Sequence, residues 1–104
     1  MRSKYNNKKT VVDGITFDSM KEARRYTELK LMEKGKAIYD LMIQPKFPII
    51  VSGVKVCTYI ADFAYRDKAT SVTIIEDVKG VKTPVYNLKK KLMKAVHDIE
   101  VTEI

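Results

Sequence analysis

Two β-prone runs decide the fold predicted for this chain: KVCTYIADFAY at residues 55–65 and VTIIEDV at residues 72–78. The second run is almost continuous in β-branched residues, which is typical of a strand covered on both faces of a sheet. An earlier apolar stretch, residues 37–47, is also β-prone, and Pro45 and Pro48 indicate a sheet edge or a strand end. The sequence therefore predicts three successive strands in the middle of the chain.

A first helix is predicted before these strands, over residues 19–34. Ser19 followed by Glu22 forms a capping box, and Gly35 is a helix-ending residue directly after Lys34. Between these signals, apolar side chains recur at every third position and define one face of a helix. That face consists of Met20, Ala23, Tyr26, Leu29 and Met32.

A second helix is predicted after the strands, over residues 84–97. Pro84 suits the first turn of a helix, and apolar residues are again spaced helically. The predicted apolar face consists of Val85, Leu88, Leu92, Ala95 and Val96. Lysines dominate the remaining positions, so we expect an apolar side toward the core and a basic side toward solvent.

Short strands are predicted at both ends of the chain. Asp13-Gly14 between apolar residues indicates a tight turn in a small hairpin over residues 11–17. Residues 99–104 alternate apolar and polar side chains, which is typical of a last short strand. The order helix, three strands, helix, strand predicts an α/β (α+β) fold around a mixed sheet, with a short N-terminal β-hairpin.

Length and composition limit the class of protein. A chain of 104 residues and 12.0 kDa holds one domain, predicted over residues 11–104 after a flexible basic arm at residues 1–10. A single cysteine excludes an internal disulfide framework and favours a reducing compartment. Without a signal-like start or a bilayer-length apolar segment, we expect a cytoplasmic protein with no membrane association.

Two segments account for the net charge of +7. Residues 1–10 carry four basic side chains and no acid, and residues 81–97 carry five lysines and no acid. Such segments favour a polyanionic partner, although a charged tail and a solvated helix face would look the same. The candidate phosphate-contacting residues are Lys8, Lys9, Lys82, Lys89, Lys90, Lys91 and Lys94.

The candidate site lies in the second and third predicted strands. A turn centred between Ala69 and Thr70 would make Asp62 and Asp77 direct cross-strand partners, with Cβ atoms about 5 Å apart. Two carboxylates this close need a proton, a cationic neighbour or a metal, and oxygen ligands suit Mg²⁺ or Mn²⁺. Lys79 follows on the same strand face and could orient an attacking water. Each residue taken alone is usually an ordinary solvated side chain, and only the joint pattern of the three indicates a site.

Two strand acids followed by a lysine resemble the PD-(D/E)xK nuclease superfamily. Its two motif elements correspond here to Ala61-Asp62 and Asp77-Val78-Lys79, with Ala61 replacing the proline. The chain also resembles a family of small bacteriophage-encoded proteins that are uncharacterised or assigned to this superfamily. The segments that carry this second resemblance are residues 13–19, 22–23, 44–47, 59–63 and 76–80.

The resemblance implies a restriction-endonuclease-like core and further site residues. Many members carry an additional metal-binding acid on the first helix, which corresponds to Glu22, although Glu22 also serves the capping box. Glu76 becomes the alternative acid if the third strand contains a bulge. The helix after Lys79 often lines the DNA groove in such nucleases, which corresponds here to the lysine-rich second helix.

Three functions compete at this stage. The first is a metal-dependent DNA endonuclease using Asp62, Asp77, Lys79 and Glu22, acting on branched DNA in phage replication within the host cytoplasm. The second is a non-catalytic nucleic-acid-binding protein on the same fold, and the third is a phage protein-interaction module. Symmetric cleavage of a four-way junction would require a homodimer.

Overall fold

A computed structural model of the protein describes residues 8–78 and 82–104. The predicted N-terminal arm therefore lies mostly outside the described residues. The described elements, in chain order, are β1 (Thr10–Val12), β2 (Ile15–Phe17), α1 (Met20–Lys34), β3 (Ile38–Ile43), β4 (Lys46–Val51), β5 (Val54–Ile60), β6 (Phe63–Asp67), β7 (Thr73–Asp77), α2 (Pro84–His97) and β8 (Thr102–Glu103).

The central layer is a four-stranded mixed sheet in the order β3-β6-β7-β8. The β7–β8 pair is parallel, while β3–β6 and β6–β7 are antiparallel. In chain order, α1, β3, β6, β7, α2 and β8 reproduce the predicted sequence of helix, three strands, helix and strand. The α+β fold class, the mixed sheet and the N-terminal hairpin are thus confirmed.

The two helices cover opposite faces of this sheet. Alternate residues of β6 show the division: Phe63 and Tyr65 belong to the core beneath α1, and Ala64 belongs to the core beneath α2. Strand side chains alternate between faces, so one sheet supports two separate apolar clusters. Both β6 and β7 are therefore covered on both sides, which agrees with their apolar composition. Neither helix in residues 8–78 or 82–104 is long and apolar enough to span a membrane.

The N-terminal hairpin and the start of α1 follow the local sequence closely. Asp13 and Gly14 adopt φ angles of 53° and 75°, the left-handed conformation that the tight turn requires. The Ser19 hydroxyl oxygen accepts a hydrogen bond from the Glu22 backbone N–H at 3.1 Å, which confirms the predicted N-cap. On α1, Ala23, Tyr26 and Leu29 are buried, whereas the ends of the predicted stripe, Met20 and Met32, are exposed.

The prediction of three unbroken central strands is wrong, because two of them are divided. The first predicted strand, residues 37–47, is divided into β3, which ends at Ile43, and β4, which begins at Lys46. The second, residues 55–65, is interrupted at residues 61–62. Gln44 adopts a φ of 53°, which bends the chain just before Pro45. Since Ile43 faces Phe63 and Lys46 faces Ile60, the register continues across the bend. Strands β4 and β5 thus form a separate two-stranded arm.

The sequence contains a signal for this arm that the prediction did not use. Ser52 and Gly53 join β4 to β5 with φ angles of 50° and 77°, the same two-residue turn geometry as Asp13-Gly14. A Ser-Gly pair between β-branched residues is a hairpin signal. The last strand is also shorter than predicted, because only Thr102–Glu103 pairs with β7.

The predicted apolar face of α2 is wrong except for Leu92, which packs against the core beneath α2. Val85 and Leu88 are 61% and 58% exposed, whereas Tyr86 and Met93 are the buried residues. The helix is fixed by long side chains whose polar ends reach other elements. For example, Lys89 Nζ donates to the Thr58 carbonyl at 3.1 Å. Because lysine and tyrosine carry apolar stems behind their polar tips, they can form a buried face that hydrophobic periodicity does not detect.

Candidate active site

The site is built where the bend before β6 meets the end of β7. Phe63 pairs with Glu76 and Arg66 with Thr73, which is the register predicted from the turn at Ala69-Thr70. The Asp62 backbone N–H donates to the Glu76 carbonyl at 3.1 Å, which is one residue out of the register in which Phe63 faces Glu76, so the ladder is irregular at the bend. The side chains of Asp62 and Asp77 nevertheless interact, and Asp77 contributes to the raised pKa of Asp62.

Asp62 lies in the bend and not inside a strand, contrary to the sequence-based prediction. Its carboxylate oxygen Oδ2 accepts a hydrogen bond from the Val78 backbone N–H at 2.6 Å. Its own carbonyl accepts from the Gln44 N–H at 2.9 Å. The bend therefore keeps its backbone hydrogen-bonded on both sides while its carboxylate is held at the end of β7.

Asp77 and Glu76 are each about 1% exposed but belong to opposite faces of the sheet. The Tyr59 hydroxyl donates to Asp77 Oδ2 on the α2 side. On the α1 side, Arg25 Nε and Nη2 donate to Glu76 Oε1 and Oε2 at 2.9 and 2.7 Å, and the Tyr65 hydroxyl also donates to Glu76 Oε2. With β7 regular over residues 73–76, the bulge that would exchange the two acids is not present there, and Glu76 forms a structural ion pair.

The electrostatic environment of Asp62 is that of a carboxyl group among other acids. Burial is the largest effect and raises the pKa of Asp62 to about 8, although the Val78 hydrogen bond opposes the rise. The negative charges of Glu22 and Asp77 raise the pKa further. A carboxylate that is repelled by two nearby negative charges would be stabilised either by binding a proton or by a nearby cation.

Glu22 combines the two roles that the sequence left open. Its backbone N–H caps α1 through Ser19, while its half-buried side chain acts on the pKa of Asp62. The cap uses the main chain and the electrostatic effect uses the carboxylate, so neither role excludes the other. The structure thus brings the three acids close enough for Glu22 and Asp77 to raise the pKa of Asp62.

Lys79, the fourth predicted site residue, lies outside the described residues. Within residues 8–78 and 82–104, no three His, Cys, Asp or Glu side chains form a group that could hold a metal ion. The directly paired acids are Asp62 and Asp77. This donor set fits Mg²⁺, which usually keeps several waters and takes only one or two carboxylates together with substrate phosphate oxygens.

Tyr59 and Tyr86 are site neighbours that the sequence analysis missed. Burial followed by the hydrogen bond to Asp77 raises the pKa of Tyr59 far above its ordinary value. Tyr86 donates to Glu103 Oε2 at 2.7 Å, and burial with nearby acids also raises its pKa. Tyr59 stands three residues before Asp62, but in a continuous strand it would be remote from Asp77. Only the bend and the register reveal the contact.

The chain can be placed in a family by its sequence. A family model described as "Protein of unknown function (DUF1064)" matches residues 2–103. The chain belongs to the DUF1064 family. No curated protein and no solved structure shows significant similarity to it.

The DUF1064 match extends over Glu22, Asp62, Asp77 and the lysines of α2, so the acidic site and the basic helix both lie within the family region. The family description assigns no activity. The nuclease resemblance therefore rests on the motif residues and on the order of helices and strands.

The lysines predicted to contact nucleic acid in this DUF1064 protein are partly engaged with the protein's own acids. Glu103 Oε1 lies 3.1 Å from Lys82 Nζ, and Glu103 Oε2 lies 3.3 Å from Lys90 Nζ. The hydrogen bond from Tyr86 and the charges of the two lysines lower the pKa of Glu103 to about 2. Since Glu103 is the register partner of Asp77 on β8, this cluster lies one strand away from the acidic site.

The remaining candidate lysines are distributed over two surfaces. Lys94 Nζ lies 2.8 Å from Asp98 Oδ1 and 3.6 Å from Glu100 Oε1, while Lys91 is exposed. Together with Asn87, Lys90, Lys91 and Lys94 line a groove of about 500 Å³ between α2 and residues 99–101. Near the N-terminal hairpin, Lys8 is exposed and Lys9 forms an ion pair with Asp18 at 3.1 Å.

Proposed function

We propose that this protein is a metal-dependent DNA endonuclease of the PD-(D/E)xK type. The observation that supports the proposal is the interaction of the Asp62 and Asp77 carboxyl groups at the end of β7, with Glu22 close enough to raise the pKa of Asp62. Buried carboxyl groups that lie close to one another are typical of sites that hold a divalent metal. The neighbouring lysines of α2 support a phosphodiester substrate.

In this proposal the chain's own residues prepare a site for Mg²⁺ or Mn²⁺. Asp62 and Asp77 would bind the cation, and Glu22 would add negative charge beside them. The metal, when bound, polarises the scissile phosphate and lowers the pKa of a water molecule. Lys79, which follows Asp77 by two residues, would orient the attacking water, and the lysines lining the α2 groove would hold the phosphate backbone.

Cleavage of defined DNA substrates tests the proposal. Wild type, Asp77→Asn and Asp40→Asn would be incubated with linear, nicked and four-way-junction DNA in the presence of Mg²⁺ or Mn²⁺. Asp40 is an exposed acid of β3, so its substitution controls for the loss of one charge. We expect wild type and Asp40→Asn to cut and Asp77→Asn to be inactive. The proposal fails if wild type cuts nothing that Asp77→Asn leaves intact.

One observation favours a non-catalytic nucleic-acid-binding protein as the second candidate. A pKa of about 8 keeps Asp62 protonated at neutral pH, and a protonated Asp62 beside Asp77 needs no cation. Titration with Mg²⁺ followed by NMR separates the two functions. Chemical-shift changes confined to residues around Asp62 and Asp77 support the nuclease, whereas no change at millimolar metal supports the binding protein.

Branched DNA is the substrate class that we propose, from the resemblance to phage proteins, and the host cytoplasm is the corresponding compartment. Symmetric cleavage of a four-way junction needs two active sites and therefore a homodimer. Sedimentation of the protein with and without a junction tests this part. A single protomer per junction, combined with cleavage of one strand only, would contradict the dimer and leave the nuclease proposal intact.

A further inference from the structure

Tyr59 of β5 and Tyr65 of β6 contact two consecutive acids of β7. The Tyr59 hydroxyl donates to Asp77 Oδ2, and the Tyr65 hydroxyl donates to Glu76 Oε2. Tyr59 is 2% exposed and Tyr65 is 6% exposed, so both contacts are shielded from water. The chemistry of the two contacts is the same, but they lie on opposite faces of the sheet.

The surroundings of the two acids differ in a way that separates their roles. Glu76 has a bidentate guanidinium partner in Arg25, which neutralises its charge. The carboxyl group beside Asp77 belongs to Asp62, which is itself acidic. The Tyr59 hydroxyl fixes the orientation of the Asp77 carboxylate, and a carboxylate held in one orientation is better placed to bind a cation.

Tyr59 is fixed firmly enough to impose an orientation. Its ring lies in the core beneath α2 and stacks on Phe47 with ring centroids 6.4 Å apart. The preceding carbonyl, that of Thr58, accepts a hydrogen bond from Lys89 Nζ at 3.1 Å, which ties this part of β5 to α2. The hydroxyl is therefore presented to Asp77 by packing on several sides.

We propose that Tyr59 is a positioning residue for the metal site: it holds the Asp77 carboxylate in the one orientation that leaves it and Asp62 able to share a divalent cation. This inference rests on the proposed nuclease function. It also assigns a role to the arm formed by β4 and β5, which supplies Tyr59 from outside the central sheet. Hydrogen bonds to ligating carboxylates commonly set metal affinity in this way.

A pair of matched variants tests the inference. Tyr59→Phe and Tyr65→Phe each remove one buried phenol oxygen from a carboxylate of β7, so their structural costs should be similar. Mn²⁺ affinity would be measured directly by electron paramagnetic resonance, without reliance on cleavage. We expect Tyr59→Phe to weaken Mn²⁺ binding by roughly 10- to 100-fold and Tyr65→Phe to change it by less than about twofold.

The outcomes separate this inference from the function on which it rests. Suppose that wild type binds Mn²⁺ and that Asp62→Asn abolishes this binding. If Tyr59→Phe then binds Mn²⁺ as tightly as wild type, or if Tyr65→Phe weakens the affinity as much as Tyr59→Phe does, only the role of Tyr59 is overturned. If wild type binds no Mn²⁺, the metal site and the role of Tyr59 both fail.

A second measurement avoids dependence on the stability of the variants. In wild type labelled with ¹³C in its tyrosine rings, Mg²⁺ should shift the Cζ resonance of Tyr59 and leave that of Tyr65 unchanged. Equal shifts at both tyrosines, or no shift at either while Asp62 responds, would overturn the positioning role.

Discussion

Glu76 and Asp77 are consecutive, equally buried acids whose carboxylates serve opposite faces of the central sheet. Glu76 forms an ion pair with Arg25 of α1, whereas Asp77 accepts from the Tyr59 hydroxyl and interacts with Asp62. One strand end therefore contains an acid that links the sheet to α1 and an acid that belongs to the candidate site. The consequence is that substitutions on the two faces should affect different properties of the protein.

The ion pair between Arg25 and Glu76 should contribute strongly to stability. Removing one member of a buried ion pair leaves an uncompensated charge, so we expect Arg25→Ala to lower the free energy of unfolding by about 3–5 kcal/mol in urea titrations. Arg24 is exposed and adjacent to Arg25 in the chain, and Arg24→Ala should change the free energy of unfolding by less than about 0.5 kcal/mol. Similar losses for both variants would show that the Arg25–Glu76 contact contributes little.

The stability of the metal-free protein should fall as the pH rises from about 4 to about 8. Over this range folded Asp62, with its pKa raised to about 8, keeps a proton that the unfolded chain with an ordinary value near 3.8 releases. Because the folded state binds more protons, raising the pH favours unfolding. Asp62→Asn can still accept from Val78 and should reduce this decline.

Thermal unfolding of wild type and Asp62→Asn in EDTA, between pH 5 and 8, measures the effect. The melting temperature of wild type should fall more steeply with pH than that of Asp62→Asn. The melting temperature of the variant relative to wild type should therefore increase toward pH 8. Parallel profiles would contradict a raised pKa for Asp62.

The acids after α2 should compete with DNA for the lysines of the groove. Asp98 and Glu100 both approach Lys94, so we expect Asp98→Asn/Glu100→Gln to tighten duplex binding by roughly three- to tenfold at low salt. Asn is well suited to the left-handed φ of 55° at position 98, so the helix end should be retained.

A charge-matched control separates local competition from a general change in net charge. Asp40→Asn/Glu33→Gln removes the same two charges from β3 and α1. It should tighten binding less than the C-terminal pair does, as measured by fluorescence anisotropy of labelled DNA. Equal gains in the two double variants would mean that only net charge matters.

Binding to DNA should weaken steeply with salt if the lysines contact phosphates. About five contacts predict a slope of log affinity against log salt near −4 to −5. Replacing the exposed Lys91 with Ala should reduce the magnitude of that slope by about 0.9, whereas Lys34→Ala on α1 should not. DNA binding that does not respond to salt would favour the third function, a protein-interaction module.

Several parts of the candidate site could be predicted because they depend on local chemistry. The positive φ of Asp13-Gly14, the cap at Ser19 and the register of β6 with β7 all follow from short-range turn and capping rules. Register was enough to predict that Asp62 and Asp77 lie close together, but not the shift of the backbone pairing at the bend. The contact of Tyr59 with Asp77 could not be predicted, because it depends on where the β4–β5 arm turns.

The sequence by itself determined the fold class, the order of the elements along the chain and the register of β6 with β7, because periodicity, turns and register are local properties. Only the tertiary structure decided which face of α2 is buried, where the strands bend and which acid of β7 pairs with Arg25. Those features depend on packing between elements distant in the chain, such as Arg25 with Glu76 and Tyr59 with Asp77. Such contacts form only when separate segments are brought together and water is excluded between them.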